Sequence, residues 1–329
     1  MSEQTSNGHQ VMPAPELTVN DALPHHIQFA GQQGGRAYYT VGTGYRIHQR
    51  PHDDLKEPPL DEKETLEYVR KVSELSIPVP FIANCWIDEH TPYGPTYFTL
   101  RRHIHGEPLM NQWAPGSLWH KSTLPKRDII EQIHVYLRKL RTMQARFMGR
   151  IGTVDSDDGT IVIAPEPLVD DALFNAGALG LVREGPFTSD WEFWNAIAKY
   201  MSHLPGVTPA VLDQLGSQMP CCEPFTFTHA SLDPSNFLLA ENNEVVGMLD
   251  WERAGFFPVW WEYVRLAWFS QTRADEFPRD WCQLLFEGMD QYPEAWEWYK
   301  KVRNLWYLGH EHCSTEQKER ARNTLGELS

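Results

Sequence analysis

An asparagine and an aspartate, fourteen positions apart, flank two short apolar runs in the C-terminal half of the chain. The runs cover 237–240 and 245–249, and the Glu-Asn-Asn-Glu segment between them predicts a β-hairpin. Asn236 enters the first strand and Asp250 leaves the second, so we expect both side chains at the same end of the hairpin. An amide oxygen and a carboxylate held together are ligands that suit Mg²⁺ bound to nucleotide phosphates.

A polar loop, 229–236, leads into this predicted hairpin. It fits the kinase catalytic-loop pattern H-x-D-x-x-x-x-N at His229 and Asn236, but Ser231 stands at the position of the catalytic Asp. In a kinase this Asp accepts the proton of the substrate hydroxyl, whereas a Ser hydroxyl has no useful basicity near pH 7. Loss of a general base raises a barrier by ~3–5 kcal/mol.

The same stretch resembles the aminoglycoside phosphotransferase and choline kinase-like family, especially its fungal branch. That branch carries Thr-His-Ala-Asp-Leu-x-Pro-Ser-Asn and then Asp-Trp-Glu-x-Ala-Gly-x-x-Pro. Here 228–236 read Thr-His-Ala-Ser-Leu-Asp-Pro-Ser-Asn, and 250–258 read Asp-Trp-Glu-Arg-Ala-Gly-Phe-Phe-Pro. Further matches are Ile-Pro-Val-Pro at 77–80 and Gly-Glu-Pro-Leu at 106–109. The resemblance implies a bilobal protein kinase-like fold of the α+β class, with a small β-rich N-lobe and a larger helical C-lobe.

Three strand-like runs, at 27–29, 36–41 and 45–48, are separated by glycine-rich turns. The resemblance makes the first turn, 31–35, a loop that covers nucleotide phosphates, and the third strand the place of a phosphate-binding Lys. No Lys precedes Lys56 in the chain. Strand alternation places Arg46 and His48 on one face, which makes them the candidates for this role; the alternative is that both are surface polar residues.

The segment 61–75 predicts an amphipathic helix with one apolar stripe: Leu66, Val69, Val72 and Leu75. The resemblance makes Glu62 the helix carboxylate that pairs with the strand Lys. Without that Lys, Glu62 either pairs with Arg46 or serves as a first-turn acid favoured by the helix dipole. Two more strands are predicted at 81–87 and 96–104, and the resemblance places an adenine-facing hinge around 100–104.

Beyond residue 105 the patterns are mainly helical. The segment 127–148 predicts a long core helix, and 152–163 predicts a hairpin around an Asp-Asp-Gly turn. Ser189 and Glu192 predict a capping box that opens a Trp-rich helix. We expect most of five tryptophans to lie in the core rather than line a substrate pocket: Trp191, Trp194, Trp260, Trp261 and Trp268.

The predicted domain organisation is a flexible leader, two lobes and a charged tail. The leader covers 1–20 and the N-lobe covers 21–105. The C-lobe covers 106–313 and contains the catalytic-loop hairpin, 225–252. The tail covers 314–329.

Composition narrows the functional classes. The formal net charge of −15 over 329 residues argues against a nucleic-acid partner. Five Cys, an odd number without framework spacing, suit a reducing compartment. No apolar stretch reaches about 18 residues, and the polar N-terminus does not resemble a signal peptide. These observations indicate a cytoplasmic protein with no membrane partner, and they leave the oligomeric state open.

Three functions remain open. In the first, a pseudokinase binds a small molecule, such as a natural product of secondary metabolism, and Asn236 and Asp250 still hold a metal. In the second, the interlobe cleft hosts new chemistry with acid or base groups from His229, Asp233, Asp250 and Glu252. In the third, phosphotransfer survives with Asp233 as a displaced base.

The missing catalytic Asp and the missing strand Lys favour a function other than phosphotransfer. We expect Mg²⁺ and ATP to bind weakly or not at all. His229 could activate Ser231 as a nucleophile, but no Gly-x-Ser-x-Gly pattern surrounds that serine. Whether the protein is an enzyme stays open.

Overall fold

The computed structural model describes residues 26–33, 36–51, 60–92, 94–113, 125–152, 163–169, 183–272, 279–310 and 313–329. Contacts divide the chain into two compact units. The first comprises Met1–Pro58 and Ile82–His103, and the second comprises Pro59–Phe81 and Ile104–Ser329. The sequence analysis assigned Pro59–Phe81 to the N-lobe, but contacts group this segment with the second unit. The predicted lobe boundaries stay a prediction, and the predicted leader lies outside the described residues.

The first unit contains an antiparallel sheet of five strands in the order β1-β2-β3-β5-β4. Their alternating patterns and glycine turns predicted these strands, which are confirmed. The bounds are β1 (Ile27–Gln33), β2 (Arg36–Val41), β3 (Tyr45–Pro51), β4 (Ile82–Asp88) and β5 (Thr96–Arg102). The turn predicted over 31–35 is wrong for 31–33, which belong to β1 and pair with β2, and 34–35 lie outside the described residues.

The predicted amphipathic helix is α1 (Leu60–Val72), and half of its predicted apolar stripe is wrong. Leu66 and Val69 are buried, but Val72 is 36% exposed and Leu75 is 68% exposed. The helix ends at Val72, and Leu75 then adopts a positive φ of 62° while its N–H donates to the Arg70 carbonyl at 3.0 Å. The chain has left the helical path at this point, so Leu75 is not on the buried stripe.

The second unit contains short strands in four small sheets. The three-stranded sheets have the orders β15-β12-β7 and β14-β13-β6, and the two-stranded sheets pair β8 with β9 and β10 with β11. The bounds are β6 (Glu107–Pro108), β7 (Gln144–Ala145), β8 (Arg150–Ile151), β9 (Pro165–Glu166), β10 (Leu168–Val169), β11 (Arg183–Glu184), β12 (Phe225–Thr228), β13 (Phe237–Leu239), β14 (Val245–Met248) and β15 (Gly255–Pro258). The centre of the hairpin predicted over 152–163 lies outside the described residues.

In the described part of the second unit, helices cover more residues than strands do. The bounds are α2 (Leu109–Trp113), α3 (Lys126–Thr142), α4 (Asp190–Met201), α5 (Pro209–Ser217), α6 (Trp261–Thr272), α7 (Arg279–Glu287), α8 (Pro293–Trp306) and α9 (Thr315–Glu327). The core helix predicted to reach residue 148 ends at Thr142, because the next residues leave the helix and pair as β7 with β12. Within the described residues, no helix is long and apolar enough to span a bilayer.

The start of α4 carries half of the predicted capping box. Ser189 Oγ accepts from the Glu192 N–H at 3.2 Å. The Glu192 carboxylate instead accepts from the N–H of Thr188 at 2.6 Å, one residue before the predicted donor. The predicted pair of Ser189 and Glu192 therefore located the start of α4 correctly.

The five tryptophans named in the sequence analysis differ in how deeply they are buried. Trp260 and Trp261 are buried, as expected of core residues. Trp194 and Trp268 are half-buried. Trp191 is 73% exposed, so the core expectation is wrong for this residue. It occupies the outer side of the first turn of α4, where Phe193 takes the buried position.

Candidate active site in the second unit

The predicted hairpin is confirmed. β13 and β14 pair antiparallel, with Phe237 opposite Met248. The Leu249 N–H donates to the Asn236 carbonyl at 2.7 Å and closes the open end of the hairpin. Asn236 Nδ2 lies 3.3 Å from Asp250 Oδ2, so the two candidate metal ligands meet as the sequence predicted.

Ser231 joins these two residues, and we name Ser231, Asn236 and Asp250 the loop cluster. Ser231 Oγ donates to Asp250 Oδ2 at 3.0 Å. Asn236 Nδ2 lies 3.0 Å from the Ser231 carbonyl and 3.1 Å from Ser231 Oγ. The serine is only 7% exposed. Ser231 thus holds a hydroxyl that donates to the neighbouring carboxylate of Asp250.

His229 anchors the loop through both ring nitrogens. Nε2 donates to the Leu249 carbonyl at 2.9 Å, and Nδ1 accepts from the Ser231 N–H at 3.3 Å. Burial lowers the pKa of His229 to about 4, so the ring is neutral at pH 7. Since Nδ1 binds the Ser231 backbone, the geometry does not support activation of the Ser231 hydroxyl by this histidine.

Asp233 lies two residues further along and holds a turn. Its Oδ1 accepts from the Ser235 N–H at 2.8 Å and from Ser235 Oγ at 2.6 Å, at the start of a 3₁₀ turn (Pro234–Asn236). This is the capping role that Asp commonly takes before Pro. The role of Asp233 as a displaced base stays a hypothesis.

Acidic groups concentrate around Asp250. Burial raises the pKa of Asp250, and the charges of Glu252 and Glu62 raise it further, against lowering by the Ser231 hydrogen bond and Arg253. Asp250 also has left-handed backbone angles, φ 64° and ψ 59°. A divalent cation would relieve the repulsion among these carboxylates. The two potential metal ligands are the carboxylate of Asp250 and the amide oxygen of Asn236. They fit Mg²⁺, which keeps several waters or phosphate oxygens as its other ligands.

Glu62 is buried, at 4% exposed, in the first turn of α1. It belongs to the same unit as Asp250, and its charge contributes to the raised pKa of that carboxyl. The pairing of Glu62 with Arg46 stays a prediction.

Arg46 and His48 lie on β3, as predicted, and share one face of the sheet. Arg46 is opposite Thr40 and His48 is opposite Tyr38 in the β2 register. Burial, and then the positive charge of nearby arginines, lowers the pKa of His48 to about 3. His48 is therefore uncharged at neutral pH, and Arg46 is the charged residue of these two candidates.

Sequence reasoning missed Glu262, in the first turn of α6. Its two carboxylate oxygens accept from the N–H groups of His229 at 2.8 Å and Ala230 at 3.0 Å. Arg265 Nε donates to the Ala230 carbonyl at 3.3 Å. Burial raises the pKa of Glu262 to about 7. One feature of the sequence could have identified Glu262. It directly follows the apolar, mainly aromatic segment 256–261, whose pattern contains no polar position that would face solvent.

Comparison with known proteins identifies the class. The model of the phosphotransferase enzyme family (APH) matches residues 25–299, and the chain belongs to this family. The α+β, bilobal kinase-like fold is confirmed. No curated protein matches the chain by sequence.

Similar solved structures are aminoglycoside phosphotransferases. A thermostable mutant of APH(4)-Ia in complex with ADP and hygromycin B is 14% identical, with a TM-score of 0.47, over 92% of this chain and 91% of that one. A gentamicin complex of APH(2")-IIa is 13% identical, with a TM-score of 0.47, over 92% and 91%. ADP-bound APH(2'')-Ib is 14% identical, with a TM-score of 0.44, over 92% and 91%.

Proposed function

We propose that this phosphotransferase-family protein no longer transfers phosphate and uses the loop cluster to bind a small molecule. The observation that carries the proposal is the hydrogen bond from Ser231 Oγ to Asp250 Oδ2, 3.0 Å long. A hydroxyl committed as a donor to an anion cannot accept a substrate proton near neutral pH. Without a general base, phosphotransfer is slower by about 10²–10⁴-fold.

The nearest alternative base supports the same conclusion. Asp233 Oδ1 accepts two hydrogen bonds from Ser235 in a capping position. To act as a base, this side chain would have to leave the turn that it caps.

Asn236 and Asp250 are the residues that would hold Mg²⁺, and the metal would place positive charge against anionic oxygens of a ligand. Ser231 and Asn236 orient the Asp250 carboxylate through the hydrogen bonds described above. Because β3 has no Lys, we expect the affinity for Mg²⁺-ATP to be weak. We further propose a natural product of secondary metabolism as the ligand and a cytoplasmic location. All five cysteines are free thiols, which supports a reducing compartment.

Phosphotransfer and binding are tested on the same proteins: wild type, Ser231→Asp, Asp250→Ala and Asp233→Ala. ATP consumption is measured with choline and an aminoglycoside as acceptors, and melting temperature is measured in Mg²⁺ alone and in Mg²⁺-ATP. We expect no acceptor-dependent ATP consumption by the wild type and no gain in Ser231→Asp. We expect Mg²⁺ to raise the melting temperature of the wild type but not of Asp250→Ala. Asp290→Ala, at an exposed position, is the matched control and should respond like the wild type.

Two results would contradict the proposal. Efficient ATP-dependent product formation by the wild type, lost in Asp233→Ala, would establish the displaced-base kinase instead. A melting temperature several degrees higher in submillimolar Mg²⁺-ATP than in the same concentration of Mg²⁺ alone, with no such difference in Asp250→Ala, would show an intact nucleotide site. Ligand at 100 times its dissociation constant would add ~2.7 kcal/mol to the unfolding free energy.

A further inference from the structure

Trp281, in the first turn of α7, donates a hydrogen bond into the loop 229–236. Its Nε1 lies 3.0 Å from the carbonyl of Leu232. Trp281 is 0% exposed and Leu232 is 2% exposed, so water has little access to either group. A carbonyl buried in this way costs stability when its donor is removed. The bond therefore ties α7 to the loop at the residue next to Ser231.

The peptide group between Leu232 and Asp233 carries two of the bonds that shape the loop. Its carbonyl accepts from Trp281, and its N–H donates to the Ser231 carbonyl at 2.9 Å. The Ser231 carbonyl also accepts from Asn236 Nδ2 at 3.0 Å. Because a peptide group is planar, a rotation that turns its carbonyl away from Trp281 also turns its N–H away from Ser231. The Trp281 N–H is thus linked through one peptide group to the carbonyl that holds Asn236.

Aromatic contacts fix the ring of Trp281. It meets the ring of Trp113 edge to face, with centroids 5.2 Å apart and planes at 88°. The ring of Phe237 lies on it at 5.6 Å with a tilt of 54°. Trp113 is itself held, because its Nε1 donates to Asp280 Oδ1 at 2.8 Å. The indole N–H therefore points in a fixed direction, towards the loop.

We propose that Trp281 is a positioning residue for the loop cluster, whose N–H fixes the Leu232 carbonyl and thereby the placement of Ser231 and Asn236 for metal binding. The inference rests on the proposed function, in which Asn236 and Asp250 hold Mg²⁺. Replacing a residue that orients metal ligands from outside the coordination sphere lowers metal affinity by about 10–100-fold. A tryptophan that only fills the core would change stability without changing this affinity.

The test compares Trp281→Phe with Trp298→Phe in the full chain. Phenylalanine keeps an aromatic ring and removes the indole N–H. Trp298 is the matched control, because it is 2% exposed and its Nε1 donates at 3.1 Å to the carbonyl of Leu215 on α5, outside the loop. Both variants should unfold at a lower urea concentration than the wild type, since each leaves a buried carbonyl without its donor.

Metal affinity separates the two variants. Mn²⁺, which accepts the same oxygen ligands as Mg²⁺, is titrated into each protein, and the free ion is measured by electron paramagnetic resonance. We expect Trp281→Phe to weaken Mn²⁺ binding by about tenfold or more. Trp298→Phe should retain the wild-type affinity within about twofold, because its hydrogen bond is separate from the loop. Asp250→Ala shows how much of the Mn²⁺ binding belongs to the loop cluster.

Backbone hydrogen exchange gives a second readout that needs no metal. Without metal, Trp281→Phe should speed exchange across 229–236 by about tenfold or more, because the loop opens locally once the Leu232 carbonyl has lost its donor. Trp298→Phe should leave the exchange of this segment within about twofold of the wild type.

Three outcomes decide the proposal. Unchanged Mn²⁺ affinity in Trp281→Phe, or equal losses in the two variants, would overturn it and leave Trp281 a core residue. If wild type and Asp250→Ala bind Mn²⁺ equally, the metal site of the proposed function fails, and the exchange of 229–236 alone decides whether Trp281 positions the loop. If Trp281→Phe does not fold, exchange of the wild type decides. Mg²⁺ should then protect both the loop and the first turn of α7, and protection of the loop alone would overturn the proposal.

Discussion

Replacing Glu262 by glutamine tests how the loop 229–236 is held. Glutamine keeps the shape of the side chain but has only one terminal acceptor. Both carboxyl oxygens of Glu262, one facing the N–H of His229 and one that of Ala230, keep acceptor capacity in the protonated acid as well as in the carboxylate. One of these two buried N–H groups then loses its acceptor. Leaving one buried donor unpaired costs about 1–3 kcal/mol of unfolding free energy.

The pH dependence of this loss follows from the pKa of Glu262, which burial raises from 4.5 to about 7. A carboxyl whose pKa is higher in the folded state stabilises the fold fully below the unfolded pKa and loses that contribution as the pH rises through the folded pKa. At about 1.4 kcal/mol per pKa unit, the wild type loses about 3 kcal/mol between pH 4.5 and 7. Glutamine does not titrate. We therefore expect the variant to be less stable than the wild type at pH 5, and equal to it or more stable at pH 8.

His229 acts in the opposite direction in both proteins. Its pKa is lowered from 6.5 to about 4, so its contribution is lost as the pH falls through that range. The two effects offset each other in the pH profile of the wild type. The difference between the wild type and Glu262→Gln removes the His229 effect and isolates Glu262. The charged groups that act on Glu262 are Arg265 and Arg141, which stay positive over the range.

The measurement is urea unfolding at pH 5, 6, 7 and 8, followed by tryptophan fluorescence. Of the thirteen tryptophans, only Trp86 belongs to the first unit, so the signal reports on the second. Glu297→Gln is the control, because Glu297 forms an exposed ion pair with Lys300, worth about 0–1 kcal/mol, and should show no such pH trend. A deficit in Glu262→Gln that stays constant from pH 5 to 8 would refute the reasoning. It would mean that the two N–H donors and the arginines keep Glu262 ionised throughout.

Two further predictions concern the packing of the second unit, and thermal unfolding checks both. Leu66→Ala should cost about 2–5 kcal/mol because Leu66 is 1% exposed, whereas Leu75→Ala, at 68% exposed, should change stability by less than about 0.5 kcal/mol. Equal losses of stability in Leu66→Ala and Leu75→Ala would contradict the end of α1 at Val72. Gly288→Ala should cost about 1–3 kcal/mol because a Cβ there would overlap the ring of His134, while Gly326→Ala on α9 meets open space and should stabilise by about 0.5–1 kcal/mol. A neutral Gly288→Ala would show that the His134 ring can move aside.

Local sequence patterns predicted the hairpin and the meeting of Asn236 with Asp250. The same patterns predicted the five strands of the first unit and the start of α4 at Ser189. These features depend on hydrogen bonds and turn residues a few positions apart, so their evidence is contained in a short stretch. Helix ends were predicted less well. The exit of the chain after Val72 depends on how the following residues turn, and the end of α3 depends on a strand pairing with β12.

The sequence by itself determined that residue 231 is a serine and that the third strand has no lysine, since residue identity needs no coordinates. Only the tertiary structure decided what these positions contact. Ser231 Oγ points at Asp250, nineteen residues away, and Glu262 reaches back to the backbone of His229 over thirty-three residues. Arg46 and Arg101 became neighbours through the pairing of β3 with β5. Such contacts depend on how separate segments pack together, and the identities of nearby residues do not encode them.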